Sequence, residues 1–262
     1  MKATSPQLKA AAREHLTGRY SVVIIAYMMA NLITNIPSLV ISYTVNTNTL
    51  AGNLISTGVT LILNFILTIF LVGQNHICLR YARAKEAVPL SEMWYGFRGR
   101  ADEIIITCFL YIIRFLLYSV PFIAALAGCL LTDPTAILGV IAGIAFLFMV
   151  VMWIRTELDY SLAFFLIIDY PGEAPGKLLK HSRELMKGNR GRLFYLQLSF
   201  IGMYLLALLS FGIGMFWVYP YTRMTFTEFY LEVKGERAEP EMPGAEDTLA
   251  EDTATAIEVE TE

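Results

Sequence analysis

The sequence predicts an all-α, polytopic membrane protein with six transmembrane helices paired as three hairpins, each preceded by a cytoplasmic amphipathic helix. Three observations carry that expectation. First, the 262 residues are 56% hydrophobic and only 16% charged, whereas soluble domains carry about 25% charged residues; mean hydropathy is +0.54. Second, the apolar residues gather into runs of the roughly 20 residues that cross a bilayer. Third, Lys and Arg occupy only some gaps between those runs. Residues 46–53 (NTNTLAGN) and 130–135 (LLTDPT) contain neither. The other gaps are crowded: Lys2, Lys9, Arg13 and Arg19; Arg80, Arg83, Lys85, Arg98 and Arg100; then Lys177, Lys180, Arg183, Lys187, Arg190 and Arg192. Short loops rich in Lys and Arg stay in the cytoplasm, which implies the plasma membrane with both termini cytoplasmic.

Each element has its own signal. Ser5 is placed to cap a first helix, with Pro6 at its first position. That helix runs to Gly18, with Leu8, Ala12, His15 and Leu16 near one face and Lys9 and Arg13 on another, as in a helix lying on a membrane surface. Span one covers residues 20–42, with a kink at Pro37, and reads as a span rather than a cleaved signal. Span two covers 54–77. Residues 88–100 form a second surface element, with Met93, Trp94, Tyr95 and Phe97 facing the interface. Span three covers 104–127. Span four follows the Asp133-Pro134 turn, runs over 136–155 and extends to 168. A helix over 136–168 would be roughly 50 Å long, more than the ~30 Å hydrocarbon core, so it must project inward or bend near Arg155. Asp169-Tyr170-Pro171-Gly172 ends it.

A third basic amphipathic helix covers 174–187. The last apolar stretch is too long for one span, and Gly212-Ile213-Gly214 divides it into spans over 193–211 and 215–233. The sixth keeps Lys234 and Arg237 with the other loop charges. The chain thus divides into a helical membrane domain, 1–237, and an acidic tail, 238–262. Residues 239–262 hold nine acidic groups and no basic one, leaving residues 1–238 with 20 basic against 14 acidic, a net of +6. A tail so poor in aromatics buries too little apolar surface to order itself.

Residues 12–18 (AREHLTG) and 182–188 (SRELMKG) match at an offset of 170, through Arg13/Arg183, Glu14/Glu184, Leu16/Met186 and Gly18/Gly188, with Leu8/Leu178 extending the match. Each copy ends in Gly and precedes a span. The middle element, ending GFRGR, holds the same place. Together they suggest three units, each a surface helix plus a hairpin. The stretches YSLAFFLIIDYP, SRELMKGNRGRLFYLQLSFIGMYLL and GIGMFWVYPYTRMTFTEFY, with LKAAAREHLTGRY near the N-terminus, resemble the bacterial integral-membrane family catalogued as domain of unknown function 975. The resemblance covers nearly all of residues 5–233. It implies a bacterial membrane protein and no established activity. A distant similarity to the membrane domain fused to some glycerophosphodiester phosphodiesterases hints at envelope lipids.

Ionisable groups at membrane depth are costly and are candidate functional residues. They are Arg114 in span three, Glu157 and Asp159 where span four leaves the core, and Arg223 and Glu228 in span six. Asn31, Asn35, Asn64 and Gln197 add polar groups. Two arrangements are open: a polar cavity in which Arg114 and Arg223 face an anionic group, or interhelical pairs joining each Arg to Glu157, Asp159 or Glu228. Pro220 is a candidate helix break that lines a site, and Gly139 and Gly143 would let helices approach. No HExxH, GxSxG or Walker A motif is present. Cys78, Cys108 and Cys129 read as buried thiols, and His15, His76 and His181 lack metal-ligand spacing, so no metal, cofactor or catalytic residue is expected. The basic helices flank spans and suit anionic lipid head groups more simply than nucleic acid. The expected function is a non-enzymatic membrane module for lipid organisation or partner assembly. The alternative is a transporter or permease-like protein for a small or amphiphilic solute.

Overall fold

The computed structural model describes residues 2–84, 88–131 and 136–236. The Asp133-Pro134 turn, Lys85, Arg237 and the acidic tail lie outside the described residues. Among the described residues all regular structure is helical: α1 (Ser5–Leu16), α2 (Tyr20–Thr44), α3 (Leu50–Ala84), a 3-10 helix (Leu90–Phe97), α4 (Ala101–Leu131), α5 (Ala136–Tyr160), α6 (Ala163–Asp169), α7 (Pro175–Leu185), α8 (Arg190–Leu198), α9 (Ile201–Leu209) and α10 (Met215–Lys234). Five helical stretches are long and apolar enough to cross a membrane: Tyr20–Thr44, Leu50–Ala84, Ala101–Leu131, Ala136–Asp169 and Arg190–Leu209. α10 carries Arg223, Glu228, Glu232 and Lys234 and is not one of them.

Several local expectations are corrected. Thr4, not Ser5, caps α1, because the Gln7 side chain reaches back to accept the Thr4 N–H at 2.8 Å. Residues 90–97 form a 3-10 helix whose Met93 is buried and whose Tyr95 stacks on His76 at 3.9 Å. Only Trp94 and Phe97 of the four residues expected at the interface remain exposed. α5 passes through Arg155 unbroken; the bend falls at Ser161-Leu162, before α6. The fifth apolar stretch is divided at Ser199-Phe200 into α8 and α9. No break forms at Pro220: α10 continues through it, and Pro220 is buried against neighbouring helices that hold the turn in place. α2 runs as one helix through Pro37; a kink there remains an expectation. Side chains at Gly139 or Gly143 would meet nothing within 4 Å, so this pair mediates no packing within the chain.

The two copies of the repeat fold alike. Leu8, Ala12 and Leu16 are buried as Leu178, Ser182 and Met186 are. The Arg19 N–H bonds the Leu16 carbonyl at 2.8 Å, and the Asn189 N–H bonds that of Met186 at 3.1 Å. The likeness extends past the sequence match, since Val23, Ala26 and Ala30 are buried as Leu193, Leu196 and Phe200 are. The joint recurs in the middle element. Gly18, Gly99 and Gly188 adopt φ of 74°, 79° and 78°, and helices start two residues later at Tyr20, Ala101 and Arg190. Left-handed backbone at the end of a surface element needs Gly, and it re-aims the chain into the next helix.

Helices α2 and α3 pack together, as do α4 and α5, and α9 with α10. In the second pair, Trp153 stacks on Phe115 at 3.8 Å and donates to the Phe115 carbonyl at 3.2 Å. Arg192 at the start of α8 donates to Glu232 at the end of α10 at 2.8 Å, so those ends lie side by side. The buried core gathers toward the basic end, around Leu16, Phe70, Met93, Ile104, Leu166, Met186 and Phe229. At the other end Leu39, Leu54, Leu131, Ile137 and Leu209 are exposed. An apolar expanse of that size in water would drive association; in a bilayer it meets lipid tails of its own polarity.

Two contacts hold the basic end. α3 and the 3-10 helix meet through glycine, because a methyl at Gly73 would come 2.0 Å from the Met93 carbonyl oxygen, and one at Gly96 would come 2.6 Å from that of Ile69. The buried Asp169 carboxylate receives both Nη groups of Arg83 at 2.7 Å, the Tyr230 hydroxyl at 2.6 Å and Lys234 at 2.6 Å. It thereby joins α3, α6 and α10. Glu236 adds bonds from Arg83 at 2.7 Å and Lys234 at 2.6 Å. Burial works to raise the Glu236 carboxyl, but these two hydrogen bonds outweigh it and hold it below its ordinary value.

Gly73→Ala is expected to cost about 1–3 kcal/mol by overpacking, seen as a lower melting temperature in detergent, whereas Gly139→Ala leaves it unchanged. Asp169→Asn is expected to cost about 2–3 kcal/mol, below the range for a fully buried pair because the Arg83 side chain is 36% exposed. An unaltered melting temperature in Asp169→Asn would contradict its role as the clamp.

Candidate functional site

A cavity of about 490 Å³ opens between α2, α3, α4 and α10. Its walls are mostly apolar, from Leu61, Phe65, Leu67, Leu71 and Ile112, with polar groups from Tyr27, Asn31, Asn64, Thr68, Gln74 and Arg223. A second cavity of about 200 Å³ lies on the other side of Leu71, Tyr111 and Arg223, which line both. Its polar lining includes Asn75, Glu157, Ser161 and Gln197. An apolar pocket with a few convergent polar groups is the usual form of a small-molecule site.

Arg223 stands where the two cavities meet. Its guanidinium lies over the Tyr219 ring at 5.1 Å, and Tyr219 stacks on Tyr27 at 4.0 Å, a cation–aromatic column that ties α10 to α2. The Tyr219 hydroxyl donates to Gln74 Oε1 at 2.6 Å, while Gln74 Nε2 donates to the Ala26 carbonyl at 3.4 Å. Tyr219 and Gln74 are thus fixed by each other. Asn31 and Asn64 are turned toward their own helices, donating to the carbonyls of Tyr27 at 2.9 Å and Thr60 at 2.8 Å. The side-chain oxygen of Asn75, on the wall of the smaller cavity, is buried with no hydrogen-bond partner. An unbonded buried carbonyl costs roughly 1–3 kcal/mol, a cost that a donor entering the cavity would relieve.

The other candidates are distributed around this pair of cavities. Glu157 lines the smaller one and accepts the Tyr111 hydroxyl at 2.5 Å. Glu228 is buried on the far side of α10, with His15 Nε2 at 3.7 Å. His15 in turn meets the Tyr81 carbonyl at 3.3 Å. Arg114 and Asp159 lie elsewhere, between α4, α5 and α7. Arg114 sits over the Tyr160 ring at 5.7 Å. The buried Asp159 carboxylate is hydrogen-bonded by Arg190 Nε, with Arg183 Nε at 3.7 Å and Arg155 Nε at 4.0 Å. Arg114 and Arg223 thus both sit over aromatic rings. Glu157, Asp159 and Glu228 are engaged by Tyr111, by Arg190 and by His15.

Sequence reasoning passed over Gln74, Asn75, Tyr27 and Tyr219. The signal for two of them was the adjacent Gln74-Asn75 pair near the end of the apolar run of α3. Among the described residues, no cluster of three or more His, Cys, Asp or Glu side chains is placed to hold a metal ion.

Two basic side chains of α1 make contacts back to the protein. Lys9 lies over the Phe200 ring at 4.2 Å and donates to the Ser199 carbonyl at 3.2 Å. Burial, and then the nearby Arg13 charge, lower the Lys9 ammonium from its ordinary value. Arg13 Nε donates to the Tyr221 hydroxyl at 3.1 Å. These contacts place α1 across α10.

Residues 1–237 match the family model described as protein of unknown function, DUF975. No curated protein matches the chain, and no solved structure does.

Proposed function

Because the chain belongs to the DUF975 family of unknown function, we propose its role from its geometry: a non-enzymatic, multi-pass protein of the plasma membrane that binds an amphiphile in the cavity between α2, α3, α4 and α10. The observation that carries this reading is Arg223. It is a fixed positive charge held over an aromatic ring, at the junction of two cavities whose walls are otherwise largely apolar. An amphiphile supplies both an anionic or polar group for Arg223 and a tail for the apolar walls. The buried Asn75 oxygen, which meets no donor of the protein, supports the reading as an acceptor facing the smaller cavity for a polar head group.

The proposed topology has six crossings, with α10 as the sixth and both termini cytoplasmic. The positive-inside pattern favours it. So does the meeting of the chain's basic segments at one end: Lys2 donates to Asn189 at 3.1 Å, Arg192 meets Glu232, and Arg83 and Lys234 share Asp169. At 20 residues and about 1.5 Å per residue, α10 is long enough to cross a ~30 Å core. Membrane lipids are the proposed partners, and lipid organisation the proposed role. A permease-like carrier is the second reading. Glu157, exposed on α5 yet lining the smaller cavity, favours it, because a solute moving past Arg223 would pass from one cavity to the other.

Native mass spectrometry of the purified full-length protein is expected to detect a retained amphiphile. Arg223→Gln is expected to lower its retention about tenfold, the loss of one charge-assisted contact, with little change in melting temperature. Asn75→Leu removes an unbonded buried oxygen, so it is expected to weaken retention without lowering stability. Undiminished retention in both variants would contradict the site. Solute flux in proteoliposomes that is lost in Arg223→Gln would favour the carrier over the binding module.

A further inference from the structure

The protein's basic residues are not equally satisfied. Arg83 and Lys234 are neutralised by Asp169 and Glu236. Arg80 and Arg98 face Glu92, and Arg192 is held by Glu232. Lys9 and Arg13 are spent on α8–α10 contacts. The group where α4, α5, α7 and α8 meet is different. Arg114, Arg155 and Arg183 line a hollow of about 160 Å³, and Arg155, Lys180, Arg183, Lys187 and Arg190 line an adjoining one of about 320 Å³. Against these six cations the two hollows hold only Asp159 and Glu184.

Asp159 organises the group rather than consuming it. Arg155, Arg183 and Arg190 each approach its carboxylate through Nε. A guanidinium has five N–H donors in a fixed fork, so the Nη groups of all three stay available. The Arg155 and Arg183 side chains are 51% and 48% exposed, and Asp159 is itself anchored where its carbonyl accepts the Ser182 hydroxyl at 2.8 Å. The cations are therefore preorganised, and their surplus charge faces outward. The adjacent surface is apolar. Leu117, one turn from Arg114 on α4, and Val151 and Ile154, beside Arg155 on α5, are exposed.

We propose that these hollows form a binding site for the phosphate of an anionic phospholipid, with its acyl chains lying along the exposed apolar surface of α4 and α5. The phosphate would take bidentate bonds from the Arg155 and Arg183 forks, with Lys180 and Lys187 adding point charges toward the cytoplasmic side. A free phosphate would satisfy the cations but would leave the apolar surface unused. The site is separate from the cavity at Arg223 and stands without it.

The test uses full-length protein in detergent, with phosphatidylglycerol and phosphatidylcholine added in equal amounts and retained lipid read by native mass spectrometry. Phosphatidylglycerol is expected to be retained about tenfold over phosphatidylcholine and to raise the melting temperature. The double variant Arg155→Gln, Arg183→Gln keeps Arg190 on Asp159 and is expected to lose that preference. Should the double variant fail to accumulate, Arg114→Gln, whose guanidinium makes a ring contact, is expected to weaken it. Arg98→Gln, at an exposed basic residue that lines neither hollow nor the central cavity, should leave it unchanged. Equal retention of the two lipids would overturn the proposal, as would undiminished preference in the Arg155 and Arg183 variant. A melting shift from inorganic phosphate as large as that from phosphatidylglycerol would overturn the lipid assignment in favour of a free anion.

Discussion

The proposed sixth crossing, α10, is a polar helix, and a polar helix can sit among membrane spans only if other helices hide it from lipid. This helix carries Thr222, Arg223, Thr225, Thr227 and Glu228 within two turns, and four of the five are buried. The threonine hydroxyls are satisfied inside the helix: Thr222 donates to the Val218 carbonyl, Thr225 to that of Tyr221 and Thr227 to that of Arg223. The remaining demands recruit neighbours. α1 supplies His15 to Glu228 and Arg13 to Tyr221. α2 supplies the Tyr27 ring to Tyr219, and α3 supplies Gln74. The segment that looks from sequence like a membrane-surface helix thus also serves as a cover for α10.

That exchange explains which parts of the fold were legible in the sequence. Helices α2 to α5 announce themselves by hydropathy, because each carries a run long and apolar enough to cross a membrane. α10 is legible as a helix only indirectly, through the Gly212-Ile213-Gly214 turn before it, because its buried faces carry polar residues. The repeat was readable from five matched positions. Its extension into Val23/Leu193 and Ala26/Leu196 was not, because both members of each pair are merely apolar and burial is decided by tertiary packing. Pro220 looked like a break because local chemistry says so; the helices packed around it override that tendency. The bend after α5 fell at Ser161-Leu162, past the arginine that marks the end of the apolar run, since a charge sets where lipid ends rather than where a helix does.

Of the two arrangements open for Arg114, Glu157, Asp159, Arg223 and Glu228, a polar cavity or interhelical pairs, the structure sets Arg223 and Glu157 on cavity walls and places Arg114 and Arg223 over aromatic rings. An aromatic face balances a guanidinium partly without neutralising it. The charge stays usable where Arg114 and Arg223 border cavities. Gln74 and Asn75 escaped notice because they lie where α3 nears its basic end and resemble ordinary span-terminal polar residues.

The central claim is that α10 is the sixth, buried crossing. Single cysteines introduced as Ile213→Cys and Glu236→Cys, with Cys78, Cys108 and Cys129 replaced by Ala, test it with a membrane-impermeant maleimide. The account predicts that Ile213→Cys is labelled on intact cells, while Glu236→Cys is labelled only after the membrane is permeabilised. Labelling of both positions from the same side would contradict it.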